Sequence, residues 1–505
     1  MSSTDAALST FMQQNNVPGG TFAYARNGKL VYARSFGTMG AAGSESAQPY
    51  HMYRIASVSK PITSIAIMKL VQDGLLSLSE KAFGPTGILN QAYYGTPVDN
   101  RVNNITVQQL LEHTGGWNRN VSGDPMFQPI AIANALGIPA PAPDSAIIKY
   151  MLTQNLNFTP GTQSQYSNFG YNILGRIIEK KTGMEYETYV KTAILEPLGI
   201  YDMHIGKNLL EDKFEREGEY VDYPGAPLAN SCYADGQLVP WPYGGFNVEA
   251  MDAHGAWIAT ARDLVRLLVA VDGFSTKPDI LNSATIQTMV TPSSLDQYYA
   301  KGWSVNPFNN WWHLGSLPGT TSLWVRTSGG MTWAAILNTR PGSGDLGGPL
   351  DNVMWNAISG VSQWPAHDLF SSPLQGPDNL NFFDVHDTSA VVVFTPGDGA
   401  NRLVIAREGA PVNRFPLDGQ EYTASNVFGS GQNLGDGNFV LYNGPATTFP
   451  LVNLQPGTSY HLRVFDYNKN TTTGNNSLYL LGRSAIGNFK TLGASAIGET
   501  DFQQL

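Results

Sequence analysis

From Ile62 onward, apolar side chains return at three- and four-residue spacing through Ile65, Ala66 and Leu70. This spacing predicts a helix with one buried side, closed by Gly74. Upstream, a short helix is expected from Thr4 to about Gln14, followed by strand-like runs over 21–26 and 29–33 that flank Asn27-Gly28. That dipeptide is a strong signal for a two-residue hairpin. Between about 75 and 300 the pattern is helix and loop. Thr106 caps a helix over 107–113, Asn168 or Phe169 opens one that closes at Gly183, and Thr260 with Asp263 three residues on makes a capping-box-like start for 264–268. Strand patterning returns at 311–315. Runs over 322–326 and 332–337 form a second hairpin about Ser328-Gly329-Gly330, and a helix over about 350–359 closes the segment. Strands at both ends with helices between predict an α+β unit over 1–360. Its antiparallel sheet is closed by the two chain ends, flanked by helices and joined by a helical subdomain.

The pattern then changes. Residues 361–380 are rich in Ser, Pro, Gln and Asp, as a linker would be, and from 381 to 505 short alternating strands are separated by turn residues. Examples are Ala390-Val391-Val392-Val393-Phe394 and Tyr460-His461-Leu462-Arg463-Val464. This predicts an all-β sandwich. Leu454-Gln455-Pro456-Gly457-Thr458-Ser459-Tyr460 resembles the turn and tyrosine corner of fibronectin type III domains, a likeness of fold that implies nothing about catalysis.

Length and composition narrow the function. At 505 residues two or three domains are expected, and a net charge of −10 without a Lys/Arg cluster argues against a nucleic-acid surface. The single cysteine, Cys232, excludes an intramolecular disulfide and a cysteine-rich metal site. No apolar run is long enough to span a bilayer. The first residues lack the basic and apolar regions of a signal peptide, while the composition leans toward the mature form of a periplasmic or secreted protein over a cytoplasmic one. Oligomeric state is not legible.

The candidate chemistry begins at Ser57-Val58-Ser59-Lys60, at the head of the first long helix. Residues three apart emerge on one helix face, so the Lys60 amine can reach the Ser57 hydroxyl. An amine whose charged form is disfavoured can serve as base for a serine nucleophile. Taken alone, the same residues read as a cap and a solvated lysine. Tyr166-Ser167-Asn168, at a loop-to-helix junction, offers a phenol as base or proton shuttle and an amide to hydrogen-bond Lys60 or a substrate. A core tyrosine beside a helix cap is the alternative. His313-Leu314-Gly315-Ser316 lies on an expected strand. There Gly315 would admit a substrate backbone, and the Ser316 N–H could complete an oxyanion hole with that of Ser57.

In this order, S-x-x-K, Y-x-N and H-x-G resemble the penicillin-binding-protein and serine β-lactamase superfamily. The likeness is nearest to class C β-lactamases, D-amino-acid peptidases and related esterases. It spans about 1–360, with further matches at Leu110-Leu111-Glu112-His113-Thr114-Gly115-Gly116, Phe158-Thr159-Pro160-Gly161, Leu195-Glu196-Pro197-Leu198-Gly199 and Ala259-Thr260-Ala261-Arg262-Asp263-Leu264. The resemblance implies that Ser57 forms an acyl-enzyme, that Lys60 and Tyr166 move its proton, and that Asn168 orients Lys60 and the substrate. The N–H groups of Ser57 and Ser316 would hold the oxyanion, with no cofactor or metal. His313 stands where many β-lactamases carry lysine, which disfavours β-lactamase turnover. The expected function is a serine hydrolase of small esters, amides or short peptides. The alternatives are a β-lactamase or acyltransferase of the same fold, and a non-catalytic ligand- or cell-wall-binding protein.

Other signals are weaker. Gly342-Ser343-Gly344-Asp345-Leu346-Gly347 matches G-x-G-x-x-G but lacks the parallel βαβ unit of a dinucleotide site. Asp252-Ala253-His254 reads as loop structure rather than a metal site, and no G-x-S-x-G elbow competes with Ser57. Trp117, Trp311, Trp312 and Tyr243 are candidates for an acyl pocket or for core packing.

Overall fold

A computed structural model describes residues 1–41, 43–470 and 476–494. The chain divides into two compact units, Met1–Pro365 and Ala366–Leu505.

The first unit is built on an antiparallel sheet. In chain order its main elements are α1 (Ser2–Gln14), β1 (Gly19–Arg26), β2 (Lys29–Gly37), α2 (Ser59–Gln72), α3 (Asn168–Thr182), α4 (Ala261–Val269), β3 (Ser304–Val305), β4 (Trp311–Leu317), β5 (Thr320–Arg326), β6 (Met331–Leu337) and α5 (Gly347–Ser359). The sheet order is β2-β1-β6-β5-β4-β3, so the N-terminal hairpin joins the C-terminal strands through β1 and β6, with Ala23 opposite Ala334. Asn27 and Gly28 take φ values of 49° and 74°, the left-handed pair that a two-residue hairpin requires. On one side of the sheet, Leu8, Phe11 and Met12 of α1 and Leu350 and Met354 of α5 form one core with Phe22, Tyr24, Leu323, Trp333 and Leu337. Trp324 hydrogen-bonds the Leu264 carbonyl of α4 (2.9 Å). α4 opens at the expected Thr260 cap, which accepts from the Asp263 N–H (3.0 Å) while its hydroxyl donates to Asp263 Oδ2 (2.8 Å).

Two helices differ from expectation. α2 is buried almost all round, from Ser59 through Met68, and not on one side only. Its polar side chains are tolerated because each has a partner: Ser59 accepts from the Trp257 N–H (3.3 Å), Thr63 donates to the Ala253 carbonyl (2.6 Å), and Ser64 donates to the Lys301 carbonyl. The helix after Thr106 stops at Leu111, because His113 takes a left-handed φ of 59°.

In the second unit, strands Asp378–Phe383, Ser389–Thr395 and Thr448–Val452 form one sheet. Asn438–Gly444, Asn401–Glu408, Ser459–Asn470 and Asn476–Tyr479 form another, with Ala485–Lys490 also paired to Ser459–Asn470. The sheets share one core, in which Val392, Phe394 and Leu451 meet Val404, Leu462 and Val464. Tyr460 is fully buried at the corner, and its hydroxyl accepts from the Gln455 N–H (2.9 Å). The fold class is thus α+β followed by an all-β sandwich. No helix among the described residues is long and apolar enough to cross a membrane.

Candidate active site

Ser57 sits on a 3-10 turn, Ala56–Val58, that runs directly into α2. Ala56 holds a φ of 47°, a conformation that costs a non-glycine residue about 1–2 kcal/mol. Neighbouring hydroxyls secure the turn. Thr320 and Ser322 of β5 donate to the carbonyls of Arg54 (2.7 Å) and Ile55 (2.6 Å) on its approach.

Lys60, one turn on, is completely buried. Its Nζ lies 3.1 Å from Ser57 Oγ, 2.7 Å from Asn168 Oδ1 and 2.9 Å from the His254 carbonyl. Burial disfavours its charge and drives its pKa well below the ordinary lysine value. Asp124 opposes that shift and Arg119 adds to it.

Tyr166 approaches the same hydroxyl from another segment, close enough for the Ser57 side chain to lower the phenol's pKa. The loop carrying it is pinned on both sides of the tyrosine. Gln165 N–H donates to the His113 carbonyl (2.9 Å), and Ser167 N–H donates to His113 Nδ1 (3.2 Å). Ser167 then caps α3 by accepting from the Gly170 N–H (3.1 Å). The Lys60 Nζ stands 4.7 Å from the centre of the Tyr166 ring. Burial pushes the phenol's pKa above its usual value, against the lowering effect of the Ser57 side chain. Asn168 Nδ2 donates to Asp124 Oδ2 (2.6 Å). Because a carboxylate only accepts, this bond fixes the amide with its oxygen toward Lys60.

His313, on β4, is buried, and its ring centre lies 6.4 Å from that of Tyr166. Its Nδ1 faces the Leu314 carbonyl (2.6 Å) and its Nε2 the Tyr299 hydroxyl (3.3 Å). Burial, the largest cause, lowers its pKa to about 3, so the imidazole is neutral. A Cβ added at Gly315 would lie 2.3 Å from the Ile55 carbonyl oxygen and from Ser322 Oγ, and 3.1 Å from the Ser57 nitrogen. β4 therefore passes the Ser57 backbone at a distance only glycine permits, with Ser316 next along and exposed. Gly315→Ala must push the strand away from the turn. It is expected to destabilise the fold by about 1–3 kcal/mol in a denaturant melt, and to slow any Ser57-dependent hydrolysis about a hundredfold or more through misplacement.

All seven sequence candidates thus lie on segments that meet around Ser57. Sequence reasoning missed Asp124, Arg119, the His254 carbonyl and Tyr299. Asp124 precedes a proline and caps a turn by accepting from the Met126 N–H (3.1 Å), a signal that reads as structural. The four aromatic candidates are occupied in packing: Trp117 against Phe169, Trp311 against Trp303, Trp312 against the α1–α5 core and Tyr243 against Tyr220. Asp252 pairs with Arg176, and no cluster among the described residues could hold a metal ion.

The Beta-lactamase family model matches residues 4–352. The chain belongs to that family. Curated relatives include Protein flp of Staphylococcus aureus (strain COL), 27% identical over 194 residues, 38% of this chain and 36% of that protein. Another is a probable fimbrial assembly protein FimD, serogroup H1, of Dichelobacter nodosus, 28% identical over 250 residues, 49% of this chain and 56% of that protein. The chain thus spans little more than a third of the first relative's length and about half of the second's. Among solved structures, D-amino acid amidase from Ochrobactrum anthropi SV3 is similar with a TM-score of 0.54 at 22% identity, over 71% of this chain and 98% of that one. The octameric penicillin-binding protein homologue from Pyrococcus abyssi is similar with a TM-score of 0.53 at 20% identity, over 96% and 95%. EstCE1, described as a hydrolase with promiscuous acyltransferase activity, gives 0.55 at 18% identity, over 71% and 99%. These neighbours, at 18–22% identity, share the fold.

Proposed function

We propose that the protein is a serine hydrolase that cleaves small esters or amides through an acyl-enzyme on Ser57, with Lys60 as the base and Tyr166 as the proton shuttle. The observation that carries this reading is the set of partners around Lys60 Nζ. Two of them, Asn168 Oδ1 and the His254 carbonyl, are oxygens that can only accept. A neutral amine has two N–H bonds for them and one lone pair left, and the remaining partner is the Ser57 hydroxyl. Burial favours that neutral form.

In the reaction, Ser57 Oγ bonds to the substrate carbonyl carbon as its proton passes to Lys60 Nζ. Negative charge gathers on the carbonyl oxygen beside the N–H groups of Ser57 and Ser316. The ammonium then returns the proton through the Tyr166 hydroxyl to the departing alkoxide or amine, and the acyl–leaving-group bond breaks. Water attacks the ester so formed, giving its proton to the same pair, and Ser57 leaves as the free alcohol. The raised phenol pKa favours a shuttle that keeps its proton at rest over a resting phenolate.

A neutral His313 offers no cation at the strand position where many β-lactamases hold a lysine against the β-lactam carboxylate, and on that position alone esters and amides rank above β-lactams. Nitrophenyl esters, D- and L-aminoacyl anilides and nitrocefin, assayed side by side, test this ranking. Turnover of nitrocefin above the others would reverse it, and no turnover of any would favour a binding protein. Added alcohol or amine, assayed for product partitioning, reports acyl transfer.

The pH profile has a stated sign. Protonating Lys60 fills its lone pair, so kcat/KM should fall on the acid side, through an ionisation lying well below the ordinary lysine value. That midpoint should survive His313→Asn, because the imidazole titrates only near about 3. A midpoint that moved with His313→Asn would assign the base wrongly.

A further inference from the structure

Burial disfavours the charge of Lys60, and His113, His254 and His313 are each buried with pKa values pushed down. One formal cation nevertheless stands at the site. The guanidinium of Arg119 lies 4.7 Å from the centre of the Tyr166 ring, on an exposed residue, and no carboxylate among the described residues pairs with it. Its backbone is not loose. Asn118 N–H donates to Asn157 Oδ1 (2.7 Å), the Asn118 side chain accepts from the Asn120 N–H (2.9 Å), and Ser122 donates to the same Asn157 oxygen (3.1 Å). Asp124, the nearby acid, is engaged with the Asn168 amide and with the Met126 N–H. A planar fork of donors therefore waits beside the shuttle tyrosine without an acidic partner, and such a fork suits a carboxylate in two-point contact.

The geometry points to Arg119 as the specificity-determining residue of this site, selecting ester or amide substrates that carry a carboxylate a few bonds from the scissile carbonyl. The inference rests on the hydrolase reading above. Asp124 close by makes a monoanion a better fit than a doubly charged phosphate, since each added negative charge meets its repulsion.

The test compares matched substrates. On the acyl side, the mono-nitrophenyl ester of glutaric acid is set against nitrophenyl pentanoate; on the leaving-group side, carboxyphenyl acetate is set against phenyl acetate. In at least one pair the charged member is expected to have the larger kcat/KM, chiefly through KM, with the preference fading as salt is raised. Arg119→Gln should shrink that charged-to-neutral ratio about tenfold or more, Arg119→Glu should reverse it, and Arg119→Lys should keep part of it. Removing Arg119 also alters the acidity of Tyr166, but that acts on both members of a pair and cancels in the ratio. Hydrolysis with no charge preference, or a preference that Arg119→Gln leaves intact, overturns the inference while the hydrolase reading stands. Failure to hydrolyse even the neutral esters overturns the hydrolase reading, and this inference with it.

Discussion

Ser57→Ala is expected to leave a folded protein that has lost its hydrolysis by about five to six orders of magnitude, the scale seen when a serine nucleophile is removed. The structural cost should be small. The Ser57 side chain is only half-buried, and its loss removes a hydroxyl shared by Lys60 and Tyr166, worth about 1 kcal/mol net. The strained Ala56 turn keeps the carbonyl clamps from Thr320 and Ser322, which do not involve the serine side chain. Circular dichroism and a thermal melt should therefore match the parent within a few degrees while turnover disappears. Retention of more than a small fraction of activity would remove Ser57 from the mechanism.

Lys60→Met should carry the second large effect, a loss of about a thousandfold or more in acylation, near the upper range for a positioned base. Its stability outcome is a contest of comparable magnitudes. Methionine fills nearly the same volume and lifts the burden of a buried amine. The Asn168 amide oxygen and the His254 carbonyl, however, each lose a donor, at about 1–3 kcal/mol apiece if left bare. Asn168 remains anchored by Asp124, so the α3 end of the site should hold its place. The variant should melt within about 2 kcal/mol of the parent, with either sign. A large loss of activity with a near-normal melt separates a chemical role for Lys60 from a structural one. Stopped-flow measurement of the first turnover shows whether acylation is the step that slows.

The site was legible where chemistry and local geometry coincide. Three-residue spacing allowed Ser57 and Lys60 to meet, and a loop-to-helix position allowed Tyr166 and Asn168 to point one way, but each motif taken alone read as structural and only their order together marked a candidate site. The hairpin at Asn27-Gly28 and the cap at Thr260 were readable because turn and cap residues act through their own backbone. What escaped depends on chain segments far apart. Asp124 orients Asn168 across 44 residues, and the carbonyl that accepts from Lys60 lies 194 residues away, where no side-chain signal exists. The all-round burial of α2 was hidden for a related reason: its serines and threonines look solvent-facing until backbone carbonyls from other segments satisfy them. His113 was visible as part of a motif, but its work as a bracket for Tyr166 requires a left-handed backbone that no side-chain pattern announces.

Rapid-quench mass spectrometry with a slowly deacylating nitrophenyl ester tests the central claim most directly. The account predicts a protein heavier by one acyl group within the first turnover, with the added mass on the peptide that contains Ser57 and absent from Ser57→Ala. Steady turnover with no adduct at the earliest quench times, or an adduct on another residue that persists in Ser57→Ala, would contradict it.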